Sequence, residues 1–175
     1  MYRIFSGLNR NSLEHAARTT VAATVSLAIA QAFQLREAYW AAISTMVVTQ
    51  STLGAALKIS EHRFIGTLLG SAAGVLVATQ LGSSRWTFAA GVFGLGLICA
   101  LFRLDRAAYR FAGITLAVIV LVVRSQPAWV VAAHRFFEVS LGIATALVMT
   151  WVWPEGRLAG GGKPGTAQSD SKRKL

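Results

Sequence analysis

The sequence predicts an all-α integral membrane protein with six transmembrane helices. Two observations predict it. Of 175 residues, 54% are hydrophobic and only 14% are charged, against about 25% charged in a soluble domain. Those charges gather in short clusters that separate long apolar runs. The runs exceed the roughly ten residues of a barrel strand and do not alternate in polarity.

A helical span needs about 20 mostly apolar residues. Six runs approach this: 13–33, 38–54, 63–81, 86–102, 107–123 and 134–153, the second and fifth being short. The short connections predict hairpins of neighbouring helices. The chain then divides into an N-terminal segment 1–12, a six-helix domain 13–154 and a tail 155–175. With Gly160-Gly161-Gly162, Pro164 and Lys172-Arg173-Lys174, the tail has the composition of a flexible basic segment.

Basic residues mark the cytoplasmic side. With the N-terminus inside, 12 Lys and Arg residues fall on the cytoplasmic face, among them Arg63. Only 3, Arg36, Arg85 and Arg124, fall outside. Both termini are therefore expected in the cytoplasm, with the domain in the cell (inner) membrane. The net charge of +10 reads as topology and contact with anionic membrane lipids, not nucleic-acid binding. A signal peptide is the competing reading of the N-terminus, because Ala28-Ile29-Ala30 resembles a cleavage site. Polar residues interrupt that apolar run, and cleavage would leave five spans.

Enzyme chemistry is not expected. Cys99 is the single cysteine, so neither an intramolecular disulfide nor a thiolate cluster is expected. There is no phosphate-binding glycine loop, metal-ligand spacing or nucleophile elbow. His15, His62 and His134 sit beside charged residues at predicted span edges. No catalytic residue, cofactor or metal follows.

An internal repeat is visible. His62-Arg63-Phe64, Leu69, Gly70 and Ala72 recur as His134-Arg135-Phe136, Leu141, Gly142 and Ala144. A weaker echo aligns Phe33, Leu35, Tyr39 and Thr45 with Phe102, Leu104, Tyr109 and Thr115. A three-helix unit has an odd number of spans, so its second copy is inverted. Such 3+3 inverted repeats hold their sites between the halves near mid-membrane. Arg63 and Arg135 are expected at matched positions on opposite sides of the membrane.

Small residues one turn apart let helix backbones approach closely. Gly66, Gly70 and Gly74 form such a stripe, as do Ala22, Ser26 and Ala30, with Gly142 a weaker case. Whether they face a helix of the same chain or a second protomer is left open. Ionisable residues at membrane depth are functional candidates. Arg18 lies one turn into the first span, and Glu138 follows Arg135 on one helix face. The latter two read either as an interfacial ion pair or as an anion site, with Arg63 and Arg135 attracting the anion and Glu138 protonatable. In the second run, Thr45, Thr49 and Gln50 could bond between helices or line a pathway. Tyr39 and Trp40 could anchor an interface or line the same pathway.

Several of these elements together resemble the family of fusaric acid resistance proteins and aromatic acid exporters. They are Tyr39-Trp40-Ala41, Gln50, Gly54, Arg63-x-x-Gly66-Thr67-Leu68-Leu69-Gly70, Arg135-x-x-Glu138-x-x-x-Gly142 and Trp153-Pro154, spread over roughly 13–155. The resemblance implies a six-helix membrane domain, usually dimeric. It also implies proton-driven export of aromatic carboxylates or related toxic compounds. A passive organic-anion channel and a non-transporting scaffold or accessory subunit are the alternatives. Longer members continue into a cytoplasmic domain. A homodimer of this chain would give a twelve-helix assembly.

Overall fold

A computed structural model describes residues 10–50, 52–122 and 126–153. The proposed tail lies outside these residues. Every regular element among them is helical: α1 (Arg10–Ala32), α2 (Tyr39–Val48), α3 (Leu53–Gln80), α4 (Arg85–Leu101), α5 (Arg106–Leu121) and α6 (Ala128–Val152).

The helices begin and end where local chemistry dictates. Thr52 caps α3 by accepting from the Ala55 N–H, and Ser84 forms a reciprocal capping box with Thr87 on α4. Asp105 caps α5 through the Ala107 N–H at 2.8 Å. Both α1 and α4 end in a left-handed residue, Gln34 (φ 54°) and Arg103 (φ 52°). Beyond each, an N–H reaches back to the last turn, Leu35 to the Ala30 carbonyl and Leu104 to that of Cys99.

Three predicted boundaries need correction. The third run begins not at residue 63 but at Leu53. Lys58 and Glu61, which precede the predicted run, are exposed on that helix, while Ala56, Ser60 and Arg63 face inward. The second run, 38–54, is helical for only 10 residues, because Thr49 turns extended at ψ 108°. Ten residues span about 15 Å, half the hydrocarbon core. The sixth helix starts at Ala128 rather than 134, directly after Pro127. By length and composition α6 is the one described helix able to cross a membrane, while α2 and α4 are apolar but shorter.

The helices α3 and α6 form the centre, each touching four others, and α1 and α4 lie at the periphery. Nine helix pairs are in contact: 1–2, 1–6, 2–3, 2–6, 3–4, 3–5, 3–6, 4–5 and 5–6. Advancing every number by three, cyclically, returns the same set. The inside and outside are also reversed relative to a soluble bundle. Arg18, Arg63, Arg135 and Glu138 are buried with a series of Ser and Thr side chains, while Trp86, Phe93, Leu97, Leu101 and Trp151 are exposed.

Candidate functional site

The small-residue stripes set the frame. A Cβ at Gly66 would strike the Ala108 carbonyl oxygen, and at Gly70 the Ala112 carbonyl oxygen and Cα. At Gly74 it would meet Ile119 at 3.0 Å. The α3 stripe therefore lies against α5. On the other side, a Cβ at Gly142 would strike the Ala41 carbonyl oxygen and Ser44. That seam joins α6 to α2. Ala22, Ser26 and Ala30 are all fully buried, and Ala30 packs with Ala38 and Ala41.

These close approaches carry Arg63 and Arg135 inward. Phe64 and Phe136, the residues that follow them, touch at 5.1 Å between ring centroids. The two arginines therefore converge near the centre. The expectation of opposite membrane sides is corrected, because α3 starts ahead of Arg63 and sinks it into the bundle. Arg63 is 6% exposed and Arg135 is 2% exposed. Each lies over an aromatic ring. The Arg63 Cζ is 4.9 Å from the Phe111 centroid. The Arg135 Cζ is 3.5 Å from that of Trp40, a cation–π arrangement.

Their hydrogen bonding differs. Arg63 donates from Nε and Nη2 to the Ser44 Oγ, at 3.1 and 2.9 Å. On Arg135, Nε and Nη1 are buried without a hydrogen-bond partner among the described residues. Glu138, one turn further along α6 and fully buried, accepts through Oε1 from the backbone N–H of Glu37 at 3.0 Å. It thereby holds the entry to α2.

The remaining predicted residues take different places. Trp40 is half-buried beneath Arg135, which removes it from the role of a plain interface anchor, whereas Tyr39 is 50% exposed. Thr45 is buried and bridges helices, its Oγ1 donating to the Gly142 carbonyl at 3.0 Å as well as to Ala41 in its own helix. Thr49 is buried and donates within α2, to the Thr45 carbonyl. The Gln50 side chain turns back to the Val47 carbonyl.

Sequence reasoning missed two participants: Ser44, which holds Arg63, and Phe111, which lies beneath it. Arg18 stood out as a charge at membrane depth, but its role as a cap did not. Fully buried, Arg18 donates from Nη1 to the Trp153 carbonyl (3.0 Å) and from Nη2 to that of Gln50 (2.7 Å). It thus binds the C-terminal ends of α6 and α2 at once, where a cation is favoured. A signal for Phe111 did exist. Trp40, Ala41 and Ser44 stand 71 residues before Phe111, Ala112 and Thr115, one residue off the register of the Tyr39–Tyr109 echo. The glycine contacts follow this register, since Gly142 meets Ala41 and Ser44 as Gly70 meets Ala112 and Thr115.

The model of the fusaric acid resistance protein-like family matches residues 23–149. The chain belongs to this family. All the site residues from Tyr39 to Gly142 fall inside the match. Two curated relatives are each described as an uncharacterized transporter, YdhK, from Escherichia coli K12 and Salmonella typhimurium. Both are 33% identical, over 149 and 150 residues, covering 80% of this chain. The chain spans about a fifth of the length of these relatives, 22% in each case. No solved structure matches.

Proposed function

We propose that the chain is the membrane domain of a transporter that exports small organic anions, aromatic carboxylates foremost. Six membrane-embedded helices are arranged as two inverted three-helix repeats. The observation that carries this reading is Arg135, a buried guanidinium with two unpartnered N–H groups above an indole. Buried donors left without acceptors cost about 1–3 kcal/mol each. An arriving anion would offset that cost, while Trp40 and the Phe64–Phe136 pair offer aromatic surface to its ring. The apolar exterior and polar interior support embedding in lipid. The three-step symmetry of the helix contacts and the matched glycine contacts support the repeat, with the anion held where the halves meet. The family's description and the relatives' naming as transporters agree with transport in general.

Glu138 is the protonatable group of this reading. Its carboxylate ties α2 to α6 beside Arg135, so proton binding would loosen the tie that shapes the anion site. The chain is placed in the inner membrane with both termini cytoplasmic, and it assembles as a homodimer of twelve helices.

The test is uptake of 4-hydroxybenzoate by liposomes holding the full chain. Arg135→Gln should lower the rate at least about tenfold in protein that still folds and inserts, as checked by its melting transition. Wild-type uptake by Arg135→Gln would overturn the reading.

A further inference from the structure

The repeat matches the two arginines and also the rings beneath them. Arg135 stands 72 residues after Arg63, and Phe111 stands 71 after Trp40. A guanidinium over a phenyl ring in one half is thus a guanidinium over an indole in the other. A phenyl ring is platform enough for a cation. Tryptophan adds size and one N–H, a donor and never an acceptor.

That N–H takes no part in holding the fold together. Trp40 Nε1 is buried and has no hydrogen-bond partner among the described residues. A buried donor left unmade is costly, and phenylalanine at this position would avoid the cost. Arg63 shows the closed version of the arrangement, with its Nε and Nη2 both donating to the Ser44 Oγ. On Arg135 the matched Nε is without a partner among the described residues, as is Nη1. Thr115, opposite Ser44 in the contact register, turns its hydroxyl to the Phe111 carbonyl. The extra donor therefore occurs in the half whose guanidinium lacks an acceptor. The Arg135 Cζ lies 3.5 Å from the ring centroid. The indole nitrogen and the open guanidinium nitrogens are thus within the span of one small anionic group.

We propose that the Trp40 indole N–H is a donor to the transported anion, acting beside Arg135 Nε and Nη1 on the same carboxylate. This rests on the anion reading above and narrows its substrate class. All three groups donate and none accepts. The head group that suits them presents oxygens alone, as an ionised carboxylate does. A carboxamide of the same shape would turn its own N–H groups toward donors. The three donors are covered in this conformation, so the anion meets them when the bundle opens, a step that alternating access requires. Trp40 then sets specificity through its nitrogen as well as its ring.

Two measurements on the purified full chain test the role. The first is the heteronuclear NMR spectrum of tryptophan-labelled protein in nanodiscs. The chain has 5 tryptophans, and the Trp40 indole signal is the one missing from Trp40→Phe or Trp40→Tyr. Its proton resonance should move downfield and saturate as 4-hydroxybenzoate is added, and stay in place with 4-hydroxybenzamide. The second is uptake by liposomes. Trp40→Phe keeps a ring under Arg135 and removes the N–H. Its KM for 4-hydroxybenzoate should rise about tenfold, with the maximal rate within about twofold of wild type. A Trp40 resonance that 4-hydroxybenzoate leaves in place overturns the proposal, as does a wild-type KM in Trp40→Phe. The anion reading stands apart from this outcome if Arg135→Gln slows uptake while Trp40→Phe does not. It falls together with the proposal if Arg135→Gln leaves uptake unchanged.

Discussion

The α3–α5 seam and the α2–α6 seam occupy matching places, yet they are built from different materials. The first is backbone against backbone, with three glycines in successive turns lying on Ala108, Ala112 and Ile119. The second keeps one such glycine, Gly142. Where Gly66 would recur it has Glu138, and where Gly74 would recur it has Ala146. Its cohesion comes from polar contacts: Thr45 to the Gly142 carbonyl, Glu138 to the Glu37 N–H, and Arg135 over Trp40. In lipid, dispersion between close backbones holds helices together at every pH. Hydrogen bonds and charges can be exchanged for those of a ligand or a proton. One seam is therefore suited to be a scaffold and the other to respond.

The largest effect belongs to the scaffold. Gly70→Ala drives a Cβ into the backbone of Ala112, and neither helix backbone can give way. A loss of about 3 kcal/mol or more is expected, read as a fall in melting temperature or failure to accumulate in the membrane. Gly94→Ala meets nothing within 4 Å and should be neutral or slightly stabilising. Equal effects from both would break the contrast.

Next comes the responsive seam. Glu138→Gln keeps an oxygen that can accept from Glu37 but removes the titrating group. Uptake of 4-hydroxybenzoate should become independent of a proton gradient while melting shifts by about 1 kcal/mol or less. Transport that stays fully gradient-dependent would remove Glu138 from coupling.

Thr45→Val deletes the bond across α2 and α6 and should cost about 1 kcal/mol. Thr115, which stands opposite Ser44 in the contact register, donates among the described residues to Phe111 in its own helix, so Thr115→Val should cost less. The order of the two melting temperatures is the measurement.

The smallest effect distinguishes the two helix starts. Asp105 caps α5 from within, and its carboxyl is held below the ordinary range chiefly by the Ala107 N–H it accepts. Ala38 at the start of α2 makes no side-chain cap, and Glu138 serves from another helix. A depressed carboxylate stabilises above its unfolded pKa, and that contribution is lost as pH falls through the folded value. Melting should thus drop slightly toward acid pH in the wild type, and by less in Asp105→Asn.

Much of the outline was legible because it is local. Hydropathy reveals six helical segments, and the spacing of Gly66, Gly70 and Gly74 reveals a stripe whatever it faces. The start of α3 was not legible, because Lys58 and Glu61 break the apolar run while lying on the exposed face of a continuing helix. The short α2 depends on the extended turn at Thr49, which no nearby glycine or proline announces. Arg63 and Arg135 stood out as charges within apolar surroundings. Their convergence, and the difference between a guanidinium held by Ser44 and one left open over Trp40, arise from tertiary packing. Arg18 is the clearest case, since its role exists only where two distant helices end side by side.

That double bond of Arg18 has a mechanical consequence. Trp153 and Gln50 are tied through one side chain, so a displacement applied at the exit of α6 is passed directly to the junction of α2 and α3. That junction leads along α3 to Arg63 and along α2 to Ser44 and Trp40. A pull on the end of the last helix is thereby geared to the floor beneath both arginines.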